Sequence, residues 1–135
     1  MRYKTIILTD KLAFSSNHLA KGQYKVNPKI TRNVGKINPQ TYFTQINVEI
    51  KDSEPAHFPF NLEVSLRAIF EFQDFPPENE IYDFLKIPAV NILYPYVRSA
   101  VTSLTAMSMN PPIVLPIVDA SVLFTDAAQD SYIIS

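Results

Sequence analysis

Residues with the types and spacing for catalysis are scarce in this chain of 135 residues. The only histidines, His18 and His57, both lie beside turn residues, and the lack of cysteine removes thiolate nucleophiles and thiolate metal ligands. Two glycines are too few for a glycine-rich loop that binds phosphate. No serine lies in the glycine-flanked turn that exposes a nucleophilic serine. The sequence therefore predicts a protein that is not an enzyme, with no catalytic residue and no cofactor.

One acidic cluster has the composition of a weak site for a hard cation. Glu78, Glu80 and Asp83 lie close together in sequence, and carboxylate oxygens are preferred ligands of Ca²⁺ and Mg²⁺. Acidic residues also stabilise the first turn of a helix by interacting with its dipole. Because the helix explanation accounts for all three residues, the sequence predicts no metal site.

Basic residues are concentrated near the start of the chain. Residues 1–48 hold eight Lys or Arg against one acid, whereas residues 49–135 hold four against twelve acids. The region Lys21–Lys36 contains the basic series Lys21, Lys25, Lys29, Arg32 and Lys36, with Tyr24 among them. Such a series can follow a phosphate backbone while an aromatic ring stacks on a base. A nucleic-acid-binding accessory protein is therefore the alternative function, although the series contains only one aromatic residue that could stack on a base.

The elements that position these residues follow from hydrophobic periodicity. Residues 1–135 fit one domain, and no apolar run is long enough for a membrane span or a secretion signal, which predicts a cytoplasmic protein. Alternation with a period of two predicts strands at Tyr42–Lys51 and Phe60–Gln73. A content of β-branched and aromatic residues predicts a strand at Ile6–Phe14, although its alternation is imperfect, and Lys29–Ile37 is the remaining predicted strand. Short connections between successive strands favour antiparallel neighbours. The sequence predicts an α+β fold with a four-stranded antiparallel sheet arranged as a meander.

Helices are predicted in the second half of the chain, packed on one face of the sheet. Glu78–Ile87 has helical spacing, and Asn91–Met107 is a long helix in which Asn91 is the expected cap and Pro95 lies near the first turn. Asn110–Val118 is apolar but contains three prolines, so it must be extended. Asp119 or Ser121 is the expected cap of a last short helix that reaches Ala127 and Ala128.

The long helix carries almost no charge on either face. Its apolar stripe consists of Leu93, Tyr96, Val97, Ala100, Val101 and Leu104, and Arg98 is the only charged residue opposite. A helix that packed on a sheet from one side alone would present Lys and Glu to water. We therefore expect a second copy of the chain to cover this helix. The predicted oligomer interface comprises Val97, Ser99, Ala100, Val101, Thr102, Ser103 and Leu104.

The segment NILYPYVRSAVTSLTAMSMNPPIVLPIVDASVLF, Asn91–Phe124, resembles the corresponding segment of the SecB protein-export chaperones. Weaker similarity is found in ILTDKLAFSS, Ile7–Ser16, and in FNLEVSLRAIF, Phe60–Phe70. The resemblance implies a homo-oligomer, with a dimer of dimers expected, in which the long helices lie between two sheets. It also implies an ATP-independent holdase that binds unfolded client polypeptides in apolar grooves.

The resemblance also implies which residues have which role. The peptide-binding groove would be formed by Phe60, Leu62, Val64, Tyr94, Met107, Met109, Ile113, Leu115 and Ile117. Of the sheet-face acids that dock the SecA motor in the family, the chain keeps Glu63 but has Lys11 and Ser15 at two other positions. These departures fit a holdase dedicated to one client, for example an antitoxin, as well as they fit general export. A scaffold whose groove is filled by its own side chains is a further alternative.

Overall fold

Alternating apolar and polar residues produce four long strands in the computed structural model, which describes residues 1–17, 28–51 and 60–124. The strands are β1 (Tyr3–Ser16), β2 (Lys29–Asn38), β3 (Thr41–Ile50) and β4 (Phe60–Phe72). All neighbouring strands are antiparallel, and each predicted strand is present, within three residues of its predicted ends. His18 and His57 lie outside the described residues.

The strand order is β1-β4-β3-β2, so the predicted meander is wrong. Strands β2, β3 and β4 follow one another as neighbours, but β1 pairs with β4 along its whole length, as in a Greek key. Alternation indicates that a segment is a strand, but it does not indicate which strand lies beside it.

A β-bulge explains the imperfect alternation of β1. The register between β1 and β4 shifts between Thr9 and Lys11, so that Asp10 has no partner on β4. Before the bulge Ile7 lies on the same face as buried Ala68, and after it Leu12 lies opposite buried Val64. One extra residue thus keeps apolar side chains on the inner face at both ends of the strand.

The inner face of the sheet forms the core. Alternate residues of β4 from Phe60 to Phe72 are all buried, and the intervening residues form an outer face that is mostly polar. Helix α2 (Pro88–Met107) packs on the inner face of β3 and β4, and α1 (Glu78–Lys86) precedes it. On α2, the residues that enter the core are Ala89, Val90, Leu93, Tyr94, Val97, Val101 and Thr105.

The long helix begins earlier than its sequence indicates. Pro88 occupies the first turn, where a missing amide costs no hydrogen bond, so Asn91 is inside the helix and the predicted cap is wrong. Pro95 lies in the second turn rather than the first, and it leaves the Asn91 carbonyl without its intrahelical donor. The side chain of Asn91 forms hydrogen bonds with Asp119 and Ala120.

A non-helical segment, Asn110–Asp119, follows α2 and leads into the short helix α3 (Ala120–Leu123). We refer to Asn110–Asp119 as the crossover segment. The prediction that Asp119 caps α3 is confirmed, because its carboxylate accepts a hydrogen bond from the Ser121 amide at 2.9 Å. Ala127 and Ala128 lie outside the described residues.

Candidate functional site

The crossover segment is fastened to α2 by a row of polar side chains. Thr102 Oγ1 donates to the carbonyl oxygen of Ile113 at 2.8 Å, and Arg98 Nε donates to that of Leu115 at 3.2 Å. These side chains stand one helical turn apart, because residues separated by three or four positions share one face of a helix. Both side chains bind main-chain oxygen atoms of the segment.

The same row continues at both ends of the segment. The Tyr94 hydroxyl donates to the carbonyl oxygen of Pro116 at 2.9 Å, and the Asn91 amide donates to the Asp119 carboxylate at 3.0 Å. At the other end, Thr105 Oγ1 accepts from the Ile113 amide at 2.9 Å. We call this set the polar ladder, and its members are Asn91, Tyr94, Arg98, Thr102 and Thr105.

The prolines of the crossover segment match the chemistry of the polar ladder. Pro111, Pro112 and Pro116 have no amide hydrogen, so the main chain there offers carbonyl acceptors and no donors. Arg98, Tyr94 and Thr102 supply donors to the segment's carbonyls. An apolar, proline-rich segment is thus held in an extended form without a partner strand.

The apolar side chains of the crossover segment form two groups, one packed against the core and the other exposed at the surface. Leu115 is buried in the core with 2% of its surface exposed, and Ile113 and Val118 are half-buried against the core. Val114 points to the surface, and Ile117 is 83% exposed. Large apolar side chains are therefore displayed on a segment whose main chain is fixed.

The C-terminal end of α2 adds two methionines to this surface. Met107 and Met109 are both exposed, Met109 at 92%. Met109 has a left-handed φ of 64°, and the amides of Met109 and Asn110 donate to Ala106 and Thr105 carbonyls, as in a Schellman motif. Glycine is the usual residue at such a position, so an exposed methionine there is unfavourable for folding. We call the exposed set, namely Met107, Met109, Val114, Ile117 and Val122, the apolar surface.

Burial divides the predicted peptide-binding groove. Met107, Met109 and Ile117 are exposed and Ile113 is half-buried, so these four are accessible from the surface. The remaining five residues are buried side chains of the chain's own core, and their assignment to the groove stays a prediction: Phe60, Leu62, Val64, Tyr94 and Leu115. Three of them, Phe60, Leu62 and Val64, point inward from β4 by strand alternation. The alternation in the sequence indicates this inward direction, but it does not indicate which element covers these side chains.

The predicted oligomer interface divides in the same way. Val97 and Val101 are 0% exposed and pack in the core beneath α2, and their assignment to the interface stays a prediction. Thr102 belongs to the polar ladder, and Ala100 and Leu104 are half-buried. Ser99 and Ser103 are exposed. We call the exposed side of the helix, formed by Tyr96, Ser99, Ser103 and Ala106, the outer face of α2.

Glu63, the predicted motor-docking residue, is engaged within the chain. Its carboxylate pairs with the Lys11 ammonium and lies 3.7 Å from that of Lys51. The hydrogen bond from Lys11 is the main cause that lowers the pKa of Glu63, so the carboxylate is ionised at neutral pH. Ser15 is exposed near the end of β1. An acid that could dock a partner is thus surrounded by two cations.

One residue of the basic region Lys21–Lys36, which suggested nucleic-acid binding, is buried in the core. Arg32 is buried, donates from Nη1 to the Lys86 carbonyl at 2.5 Å, and has its guanidinium 4.8 Å from the centre of the Phe124 ring. Lys36 pairs with Glu78 at 3.4 Å. Lys21, Tyr24 and Lys25 lie outside the described residues. The structure therefore adds no support to this alternative.

The polar ladder is the feature that sequence reasoning missed. Its members recur at intervals of three and four from Asn91 to Thr105, and that spacing was present in the sequence as a second stripe. Of these five residues, the sequence predicts only Thr102 to face a second copy of the chain, whereas it predicts Asn91 to cap the helix and Tyr94 to line the groove. Three prolines in the following segment were the available signal that acceptors without donors lay nearby.

Two further features of the described residues concern membrane-spanning helices and clusters of metal-binding side chains. In residues 1–17, 28–51 and 60–124, no helix has the length and apolar content to cross a membrane. The same residues contain no group of three or more His, Asp or Glu side chains that could hold a metal ion. Glu78 is instead paired with Lys36.

Comparison with known proteins places the whole fold in one family. The family described as preprotein translocase subunit SecB matches residues 11–131. A protein-export protein SecB of Dinoroseobacter shibae is 25% identical over 118 residues, which are 85% of this chain and 68% of that protein. A SecB of Anaplasma marginale is 27% identical over 81 residues, 59% of this chain and 45% of that protein, so the chain matches less than half of this relative's length.

A solved structure agrees with the sequence comparisons. A Mycobacterium tuberculosis SecB-like chaperone, solved in complex with a peptide from an antitoxin, superposes with a TM-score of 0.73 at 19% identity. The match covers 87% of this chain and 91% of that one. At this identity the likeness concerns the fold: an antiparallel four-stranded sheet with a long helix on one face. With the family match over residues 11–131, it follows that the chain belongs to the SecB family.

Proposed function

We propose that this protein is a chaperone that keeps unfolded polypeptides soluble without catalysis, cofactor or ATP, and that it acts in the cytoplasm. The observation that supports the proposal most strongly is the display of Val114 and Ile117 on a crossover segment fixed by the polar ladder. Exposed aliphatic side chains on a fixed main chain need no rearrangement before they contact a client. The antitoxin peptide bound to the mycobacterial SecB-like chaperone is consistent with a polypeptide ligand.

Binding by this surface is expected to be tolerant of sequence. Apolar burial contributes about 25 cal/mol per Å² whatever the order of the client's residues. Met107 and Met109 have flexible, polarisable side chains that adapt to ligands of different shape. Several weak contacts along one client chain add up through effective concentration. The expected result is useful avidity for unfolded chains and little affinity for folded ones.

The proposal is tested by aggregation of a reduced, unfolded client protein followed by light scattering. The wild-type chain should suppress aggregation without ATP. The Met109→Ser/Ile117→Ser double variant should suppress it substantially less at equal concentration. Ile37→Ser is the matched control, because Ile37 is also an exposed aliphatic residue but lies at the end of β2. Equal activity of the double variant and the wild type would refute a role for the apolar surface.

The proposal includes assembly into a homo-oligomer through the outer face of α2. Tyr96, Ser99, Ser103 and Ala106 are exposed and uncharged, and this face is the side of the helix that the chain's own sheet does not cover. A dimer of dimers would bury the face between subunits. Native mass spectrometry tests assembly directly, and a strict monomer at micromolar concentration would refute it.

We further propose that the chaperone serves a dedicated client rather than delivery to SecA. The pairing of Glu63 with Lys11 and Lys51 supports this choice, since a docking acid for a motor should be free to pair with the motor. Purified SecA should therefore show no measurable binding in calorimetry. Binding that is lost in Glu63→Gln would overturn the dedicated-client proposal and leave the chaperone proposal intact.

A further inference from the structure

The outer face of the sheet carries an apolar row among its polar residues. Ile6 of β1 lies opposite Ile69 of β4, and Ile69 lies opposite Phe43 of β3. Leu8 lies opposite Arg67, one step along the same face. Ile6 is 55% exposed, Leu8 is also exposed, and Ile69 and Phe43 are half-buried. We call these five residues the outer-face patch.

Phe43 is held as a fixed platform within the patch. Its ring lies over Gly35 on β2, where a Cβ atom would come within 2.6 Å of the ring. Any side chain larger than hydrogen at Gly35 would displace the ring. The guanidinium of Arg67, on the neighbouring strand β4, lies 4.2 Å from the centre of the Phe43 ring, within the range of a cation–π interaction.

Arg67 is the charge at the centre of the patch, and its partners are neutral. Its Nε and Nη2 donate to Gln45 Oε1 at 3.2 and 2.7 Å, and Gln45 in turn donates to Asn47 Oδ1 at 2.8 Å. Within the three described stretches of chain, no carboxylate pairs with Arg67. The guanidinium is thus oriented by uncharged groups, and its Nη1 has no hydrogen-bond partner among those residues.

The acids of the outer face are close to other cations. Glu63 pairs with Lys11, and Glu49 lies 3.5 Å from Lys51. Glu71 stands opposite Lys4 in the register of β1 and β4. A planar guanidinium with free donors is suited to bidentate hydrogen bonds with a carboxylate. Arg67 therefore has guanidinium donors that an acidic group of a partner could accept.

We infer that the outer-face patch binds a polypeptide segment in which an Asp or Glu is flanked by large aliphatic residues. The spacing supports this chemistry: Arg67 and Ile69 are two residues apart on one strand, roughly 7 Å, which equals the repeat of alternate residues in an extended chain. A carboxylate on Arg67 thus places an aliphatic residue two positions away on Ile69 and Ile6. This surface is on the opposite side of the sheet from α2 and the crossover segment.

Two dye-labelled peptides that differ in one residue test the inference by fluorescence anisotropy. One contains Leu-Ser-Asp-Ser-Leu and the other contains Leu-Ser-Lys-Ser-Leu. The wild-type chain should bind the Asp peptide roughly tenfold more tightly, which corresponds to the strength expected of one charged hydrogen-bonded pair. In Arg67→Gln the ratio of the two dissociation constants should fall close to one. Equal binding of both peptides by the wild type, or no binding of the Asp peptide, would overturn the inference.

A matched pair of variants on β1 locates the binding surface. Ile6 and Leu12 are about equally exposed, at 55% and 51%, but lie on opposite faces of the sheet. Ile6→Ser should weaken binding of the Asp peptide several-fold, and Leu12→Ser should leave it unchanged. Loss of binding in Ile117→Ser together with full binding in Ile6→Ser would overturn the inference, since the peptide would then occupy the apolar surface.

The oligomeric mass separates a foreign partner from a second copy of the chain. Native mass spectrometry should find the same number of subunits in Arg67→Gln and Ile6→Ser as in the wild type. A lower mass in either variant would overturn the inference, because a neighbouring subunit would then cover the patch. Suppression of client aggregation should also be unchanged in both variants, so failure here is distinguishable from failure of the chaperone proposal.

Discussion

The Tyr94 hydroxyl donates a hydrogen bond of 2.9 Å to the carbonyl oxygen of Pro116, which joins a buried residue of α2 to the middle of the crossover segment. Pro116 separates the buried Leu115 from the exposed Ile117. The bond therefore fixes the point at which the segment changes from core to surface. The display of apolar side chains depends in this way on a polar contact beneath them.

Removal of this hydroxyl should weaken folding by a small, measurable amount. Tyr94→Phe keeps the ring in the core and removes one hydrogen bond, so the free energy of unfolding should fall by about 1 kcal/mol. Urea unfolding followed by circular dichroism measures the change. Tyr96→Phe is the control, because Tyr96 lies on the same helix and is 56% exposed; its effect should be below about 0.5 kcal/mol. Equal effects of the two variants would contradict the assignment.

Stability should fall at alkaline pH in part because of Tyr94. Burial raises the pKa of the Tyr94 hydroxyl, because the charged phenolate is poorly solvated in the core. The folded state therefore holds this proton more tightly than the unfolded state, whose tyrosine pKa is about 10. The free energy of unfolding should decrease as pH rises above that value. The decrease should be less steep in Tyr94→Phe, and equal slopes for both proteins would contradict the prediction.

Neighbouring aliphatic residues of the crossover segment should differ in their effect on folding. Leu115→Ala creates a cavity in the core and should lower the free energy of unfolding by about 2–5 kcal/mol. Ile117→Ser changes an exposed side chain and should alter it by less than about 0.5 kcal/mol. Chemical denaturation of both variants measures the difference. A large loss of stability in Ile117→Ser would show that this residue belongs to the core.

The strands could be predicted from the sequence, but the faces of α2 could not be assigned. A period of two is a local property, so β3 and β4 were found with their inward residues. Val101 and Thr102 illustrate what is missing. The sequence shows that one is apolar and the other polar, yet Val101 meets the chain's own sheet and Thr102 meets the chain's own crossover segment. Both contacts depend on which elements lie beside the helix, as does the position of β1 next to β4.

Relief of the left-handed backbone at Met109 should stabilise the protein. A left-handed conformation costs a residue other than glycine about 1–2 kcal/mol, so a glycine there would recover this free energy. Part of the recovered free energy is lost because glycine has more conformational freedom in the unfolded chain. Met109→Gly should therefore raise the free energy of unfolding by up to about 1 kcal/mol. Met107→Gly should have the opposite sign, because Met107 is the last residue of the helix. Thermal unfolding of the pair measures both signs, and destabilisation by Met109→Gly would contradict the argument.

A charge on the outer face of α2 should separate subunits without unfolding them. A carboxylate at Val101 would enter the core, so that position reports folding rather than assembly. Ser103→Asp places the charge on the exposed side, where it would be desolvated and unpaired in an interface between identical helices. Native mass spectrometry should show a smaller assembly with an intact circular dichroism spectrum. Asn79→Asp adds the same charge to exposed α1 and should leave the mass unchanged; an unchanged mass in Ser103→Asp as well would place the interface elsewhere.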